Sequence, residues 1–202
     1  MSPADDSYGE KPRCSSIAAT LPTLRFTKPF VRRASPRLLQ QFYKRFDSVS
    51  RYFSEVKGEI KVGLTTSYKG LALTGVKGGA AFEKLCFPPL DRKGMPSRYV
   101  IGHELMHIVQ SKVDGMPRTE RSCDIFTLAR LPAEMLDHPP IYLRIPRGAK
   151  ERWGSPEVNK DLAEAAHLLA IEAVVIRPDN ARYISWWENR FAESAERIIE
   201  GR

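Results

Sequence analysis

From Leu38 to Val56 the apolar residues return at steps of three and four (Leu38, Leu39, Phe42, Tyr43, Phe46, Val49, Phe53, Val56), the period of a helix with one buried face. Ser35-Pro36 offers an N-cap followed by proline at the first helical position, and Gly58 offers a stop, so the pattern predicts one helix ending at Lys57. Its phenylalanines are read as a core stripe, not a surface for stacking bases. Past Gly58 the period falls to two. Ile60, Val62 and Leu64 alternate with polar neighbours, Leu71 to Val76 follows Tyr68-Lys69-Gly70, and Phe82 to Phe87 alternates again after Gly78-Gly79. Three short strands in a small sheet are expected there. Gly78-Gly79-Ala80-Ala81 would let an extended chain approach an edge of that sheet.

Pro88, Pro89 and Pro96 make 88–96 a loop, and Ser97 caps a helix that is apolar nearly all round. Asp114-Gly115 and Pro117 stop it and restart the chain in a second helix that lasts to Leu131-Pro132. An irregular stretch follows. Ser155-Pro156 then opens a helix that stops at Arg177-Pro178, and Asp179 caps a last one with Tyr183, Ile184, Trp187, Phe191, Ala195 and Ile198 on one stripe. These two should form a hairpin against the pair at 97–132. The fold class is α+β, mostly helical, with a small antiparallel or mixed sheet packed on the helix that starts at Ser97. Residues 1–24, rich in Ser, Pro and small side chains, are expected to be disordered. Residues 25–202 form one domain, made of a helix at 25–57, the sheet at 58–96, the helix pair at 97–132 and the hairpin at 155–202.

Chemistry concentrates in Tyr99 to Gln110. On a helix His103 and His107 share one face with Cβ atoms ~5 to 6 Å apart, so both imidazoles can reach one zinc at about 2.0 to 2.1 Å. Glu104 is rotated by about 100°, off the metal but within reach of a water on it, where a general base works. A third ligand is needed. The turn at Lys112 to Pro117 folds the second helix back, and at about 1.5 Å per residue both Glu120 and Asp124 come near the height of His107. Antiparallel axes ~8 to 10 Å apart leave a gap that a carboxylate and an imidazole bridge through one metal. Height does not separate Glu120 from Asp124. Cys123 points about 100° away from Asp124 and is not expected to be a ligand.

HExxH followed by a helix bearing E-x-x-[small]-D resembles the gluzincin zinc metallopeptidases. The run Glu120-Arg121-Ser122-Cys123-Asp124-Ile125-Phe126-Thr127 is similar to the E-x-x-A-D-x-x-A of membrane CAAX-prenyl proteases and HtpX, and to the E-x-E-A-N-x-F-A of IrrE/ImmA-type regulatory proteases. The resemblance implies a zincin-like domain in which His103, His107 and Glu120 bind Zn2+ and Glu104 is the base. Asp124 would orient His103 through its spare ring N–H. It also implies a sheet edge that receives the backbone of a peptide or protein substrate, and a donor opposite the zinc, for which His138 and Tyr142 are the candidates. The likeness covers 97–132. Twelve residues separate His107 from Glu120, fewer than in thermolysin, and Cys123 stands where a small Ala is usual. Should the short connection tilt the second helix, Asp124 becomes the third ligand.

Composition narrows the setting. Cys14, Cys86 and Cys123 are widely spaced and odd in number, which excludes a disulfide framework or a cysteine-only zinc site. No apolar run reaches the length of a membrane span and no signal segment opens the chain, so a cytoplasmic protein is expected. Of the formal charge of +8, +7 falls between Arg25 and Lys57, where nine Lys and Arg face only Asp47 and Glu55. That cluster suggests an alternative reading, a zinc-binding regulatory or nucleic-acid-associated protein that uses 25–57 to hold nucleic acid or an acidic partner.

Overall fold

The structure, a computed structural model, describes residues 21–66, 70–77, 80–91, 94–178 and 180–201. The chain runs through β1 (Thr23–Phe26), α1 (Lys28–Arg32), α2 (Pro36–Ser50), β2 (Glu59–Leu64), β3 (Leu71–Lys77) and β4 (Ala80–Phe87). It continues through α3 (Arg98–Lys112), α4 (Glu120–Arg130), a 3-10 turn at Ala133–Met135, α5 (Arg147–Arg152), α6 (Pro156–Ile176) and α7 (Tyr183–Glu200). The architecture is α+β. The sheet is mixed, in the order β1-β2-β4-β3, with β1, β2 and β4 parallel and β3 antiparallel to β4. β3 is therefore an edge strand.

The three expected strands are present, and a fourth joins them from the segment expected to be disordered. Thr23 to Phe26 pairs in parallel with Glu59 to Val62, and its Leu24 and Phe26 are half-buried while Thr23 and Arg25 face out. Four residues are too few for a period of two to stand out. Residues 1–20 lie outside the described residues, as do Gly78 and Gly79.

The helix expected over 25–57 is broken up. Residues 25 and 26 belong to β1, α1 is a separate short helix, and α2 ends at Ser50 instead of Lys57. The hydroxyls of Ser48 and Ser50 donate back to the carbonyls of Arg45 and Asp47 at 2.7 and 3.2 Å, which competes with helix continuation. Beyond them the N–H groups of Tyr52, Phe53 and Val56 bond three residues back. These turns still deliver Phe53 and Val56 to the core, so the apolar pattern outlasts the helix. Gly58, at φ 84°, then turns the chain into β2. The aromatic stripe is core: Phe42 packs edge-on against Phe30 and Phe87 at 5.8 and 5.3 Å.

α3 lies buried between α2, α4 and β3, with Ser97 capping it through the Val100 N–H at 3.1 Å. The chain reverses at Gly115, φ 73°, and α4 opens on a capping box between Thr119 and Ser122. Gly102 sets how closely the two helices approach, because a Cβ there would sit 2.7 Å from Leu131 Cδ1 and 3.3 Å from Thr127 Cγ2. Arg130 holds Glu55 with two 2.8 Å bonds and lies over the Phe53 ring, tying α4 to the turn after α2.

α6 and α7 form the expected hairpin, and α6 packs on α4. His167 donates from α6 to the Leu128 carbonyl at 2.8 Å, a satisfied histidine between helices. Two details of this half differ from expectation. α5 occupies part of the stretch expected to be irregular, buried through Ala149 with Trp153 just beyond it. Arg182 stands at the N-cap of α7, while Asp179, expected to cap it, lies outside the described residues. No helix among the described residues is long and apolar enough to cross a membrane.

Candidate metal centre

The spacing of four on α3 puts the rings of His103 and His107 4.8 Å apart and nearly perpendicular. Across the seam, the capping box starts α4 at Glu120, whose side chain reaches back over both. A single oxygen, Glu120 Oε2, stands 3.1 Å from His103 Nε2 and 3.1 Å from His107 Nε2. The hydrogen bond to His103 is the main reason its carboxyl titrates below the usual range.

Asp124, one turn along α4, is on the other side of His103. Its Oδ1 stands 2.9 Å from His103 Nδ1 and accepts from the Tyr99 hydroxyl at 2.5 Å. Its Oδ2 accepts from the main-chain N–H groups of Tyr142 and Leu143 at 2.6 and 3.1 Å. A fully buried carboxylate with four partners is thus satisfied without leaving the core. Burial works against a charge on His103, but Asp124 and, less strongly, Cys123 and Glu120 hold its pKa above the ordinary histidine value. His107 moves the other way, lowered by burial and by the neighbouring His103.

The docking of residues 142 and 143 on Asp124 also decides where Tyr142 stands. Its ring stacks on His103 at 5.5 Å, and it lines the cleft that contains Glu104, His107 and Glu120. His138 does not line that cleft. Its ring stacks on Tyr99 at 6.3 Å and lines a separate cavity with Ser97 and Val100.

Glu104 lies on the cleft wall, 5% exposed, against the start of β3. The Ala72 main-chain N–H bonds its carboxylate, and burial lifts its pKa to about 7 although His103 opposes the shift. Gly70 leaves room for it, since a Cβ there would stand 2.8 Å from both Cγ and Cδ of Glu104. Ala72 turns its N–H away from β4, so Thr74, two residues on, offers its own N–H on the same free edge. Gly70 and Ala72 had no signal in the sequence, because nothing local connects residue 70 to residue 104. Gln110 had one, its three-residue step from His107. It is buried, its Nε2 donates to the Pro117 carbonyl at 2.6 Å, and it too lines the cleft.

Cys123 comes closer than its helical angle suggested. Its donor atom and those of His103 and His107 all lie within 4.8 Å of one another, a group that could hold a metal ion. The close approach at Gly102 accounts for this by pressing α4 onto the α3 backbone, where the thiol donates to the His103 carbonyl at 3.2 Å. Burial pushes that thiol up to about 11. Two donor sets therefore share the histidine pair, one completed by Cys123 and one by Glu120. Compared with known families, with curated proteins and with solved structures, the chain matches none.

Proposed function

We propose that the protein is a zinc metallopeptidase whose metal is held by His103, His107 and Glu120. The observation that carries this is the convergence of two imidazole Nε2 atoms on one Glu120 oxygen beside a buried glutamate in an open cleft of about 490 Å³. Two imidazoles and a carboxylate are ordinary zinc donors. Cys123 is the poorer third donor, because its proton is engaged with the His103 carbonyl and burial opposes losing it. Zinc bound there would act as a Lewis acid on a peptide carbonyl and make a water acidic near neutral pH.

Each remaining residue has a part in hydrolysis. Asp124 accepts from His103 Nδ1 and so leaves Nε2 free to ligate. Glu104, with a pKa of about 7, is suited to take a proton from the attacking water and pass it to the departing amine nitrogen. Tyr142 is the better of the two candidate donors to the developing oxyanion, since its ring lines the cleft and His138 does not. The free edge of β3 can hold an extended peptide by main-chain hydrogen bonds.

The test is metal content beside activity. Wild type and Glu104→Gln should both carry about one zinc per chain, and only the wild type should cleave peptides. A Glu104→Gln protein that still cleaves would remove Glu104 as the base, and an absence of zinc from both would remove the metal reading.

One observation favours the alternative, a zinc-binding regulatory protein that holds nucleic acid. Arg25, Lys28 and Lys61 line a single cavity at the β1 edge, across the sheet from the cleft. Retention of DNA that weakens steeply with salt and disappears in a Lys28→Glu/Lys61→Glu variant would support it. No retention at low salt would end it.

A further inference from the structure

We propose that Arg118 receives a carboxylate of the substrate. The cleft then selects peptides that carry an acidic side chain or a free C-terminus within about two residues of the bond cut. This rests on the peptidase reading and names its substrate class.

Arg118 is the sole Arg or Lys among the described residues that line the cleft. Its Nε donates to the main-chain carbonyl of Gln110 at 3.1 Å, which holds the guanidinium plane at the end of α3. That anchor is itself fixed, since Gln110 is buried and bonded to the Pro117 carbonyl and the Ser122 hydroxyl. The two arginines of α4 are occupied. Arg121 is paired with Glu188 and Arg130 with Glu55, whereas no carboxylate among the described residues lies within ion-pair distance of Arg118. A guanidinium pinned at Nε with both Nη groups unengaged is the form that takes a carboxylate through two parallel N–H bonds.

The rest of the cleft sharpens the selection. Glu104 and Glu120 would repel an acid placed beside the histidines, so a carboxylate is favoured only at the Arg118 end. Ser111, next to the anchor, is four residues past His107, about 6 Å along the axis. An extended peptide advances about 3.3 Å per residue, which sets the one or two residues between the cut bond and the recognised charge.

The experiment uses the full zinc-loaded chain and peptides of equal length. One set is neutral with an amidated end, one carries a single Glu at each position in turn, and one is neutral with a free C-terminus. We expect kcat/KM at least tenfold higher for Glu at one position or for the free end, and the two sets separate a side-chain from a terminal carboxylate. Arg118→Ala should reduce that acid-to-neutral ratio at least tenfold, and Arg118→Lys should keep part of it. An unchanged ratio in Arg118→Ala would overturn the assignment. Should no peptide be cleaved, the peptidase reading fails by itself, and fluorescence anisotropy of the same peptides decides on Arg118. Weaker binding by Arg118→Ala supports it, and equal or absent binding by both proteins overturns it.

Discussion

Two helical hairpins dominate the molecule, and their seams are built on opposite principles. Between α6 and α7 the contact is one of size. Ala166, Ala170 and Ala173 are buried on α6 while Trp187 and Phe191 are buried on α7, with the two rings stacked at 4.9 Å. A hydrogen bond crosses with them, from Trp187 Nε1 to the Ala166 carbonyl at 3.2 Å. Between α3 and α4 the contact is one of partners. His103, Asp124, Tyr99 and Cys123 are all buried and linked by hydrogen bonds, from Tyr99 and His103 to Asp124 and from the Cys123 thiol to the His103 carbonyl. An apolar seam tolerates any residue of suitable volume, whereas a buried polar seam has one solution. The second kind is what a metal site needs, since it holds ligands in one orientation before any ion arrives.

Breaking the two seams should therefore give losses of similar size and different kind. Asp124→Ala strands His103, the Tyr99 hydroxyl and two main-chain N–H groups, and should cost about 3 to 5 kcal/mol together with most of the bound zinc. Trp187→Ala leaves a void between helices and should also cost about 3 to 5 kcal/mol, yet keep one zinc per chain below its melting point. Urea melts beside metal analysis separate the two outcomes. Equal zinc loss in both variants would erase the distinction.

Glu104 sharpens the comparison through pH. Its folded pKa is raised from the ordinary value of 4.5 to about 7, so its contribution to stability is complete below 4.5 and disappears as pH rises through 7. In metal-free protein, Glu104→Gln should remove that loss and raise stability at pH 8 by up to about 3 kcal/mol relative to wild type. Melts at pH 4 and pH 8 check it, and parallel pH profiles for the two proteins would contradict it. The smallest effect is expected from Gly102→Ala. Leu131 is fully buried and has little room to yield to the new methyl, so about 1 to 2 kcal/mol should be lost despite the better helix former, with weaker zinc retention against a chelator.

Much of this was legible in the chain and the rest had physical reasons to be hidden. The caps at Ser97 and Ser35, the stop before Gly115 and the apolar stripes are local signals, and they appear where the sequence placed them. The end of α2 was misread because the turns after Ser50 preserve the helical spacing of buried residues without helical hydrogen bonds. β1 was missed because a four-residue strand takes its identity from its partner, β2. Tyr142 could not be separated from His138 because its place depends on two main-chain bonds to Asp124, eighteen and nineteen residues away.

By itself the sequence determined the elements of α3 and α4 and put His103, His107, Glu120 and Asp124 on them, because helical period and capping act over a few residues. Only the tertiary structure decided which nitrogen of His103 faces which acid. The same holds for how near Cys123 comes, and for the link between residues 70 to 72 and Glu104. Those outcomes depend on how closely separate segments pack, and packing distance is set by every side chain in the seam at once.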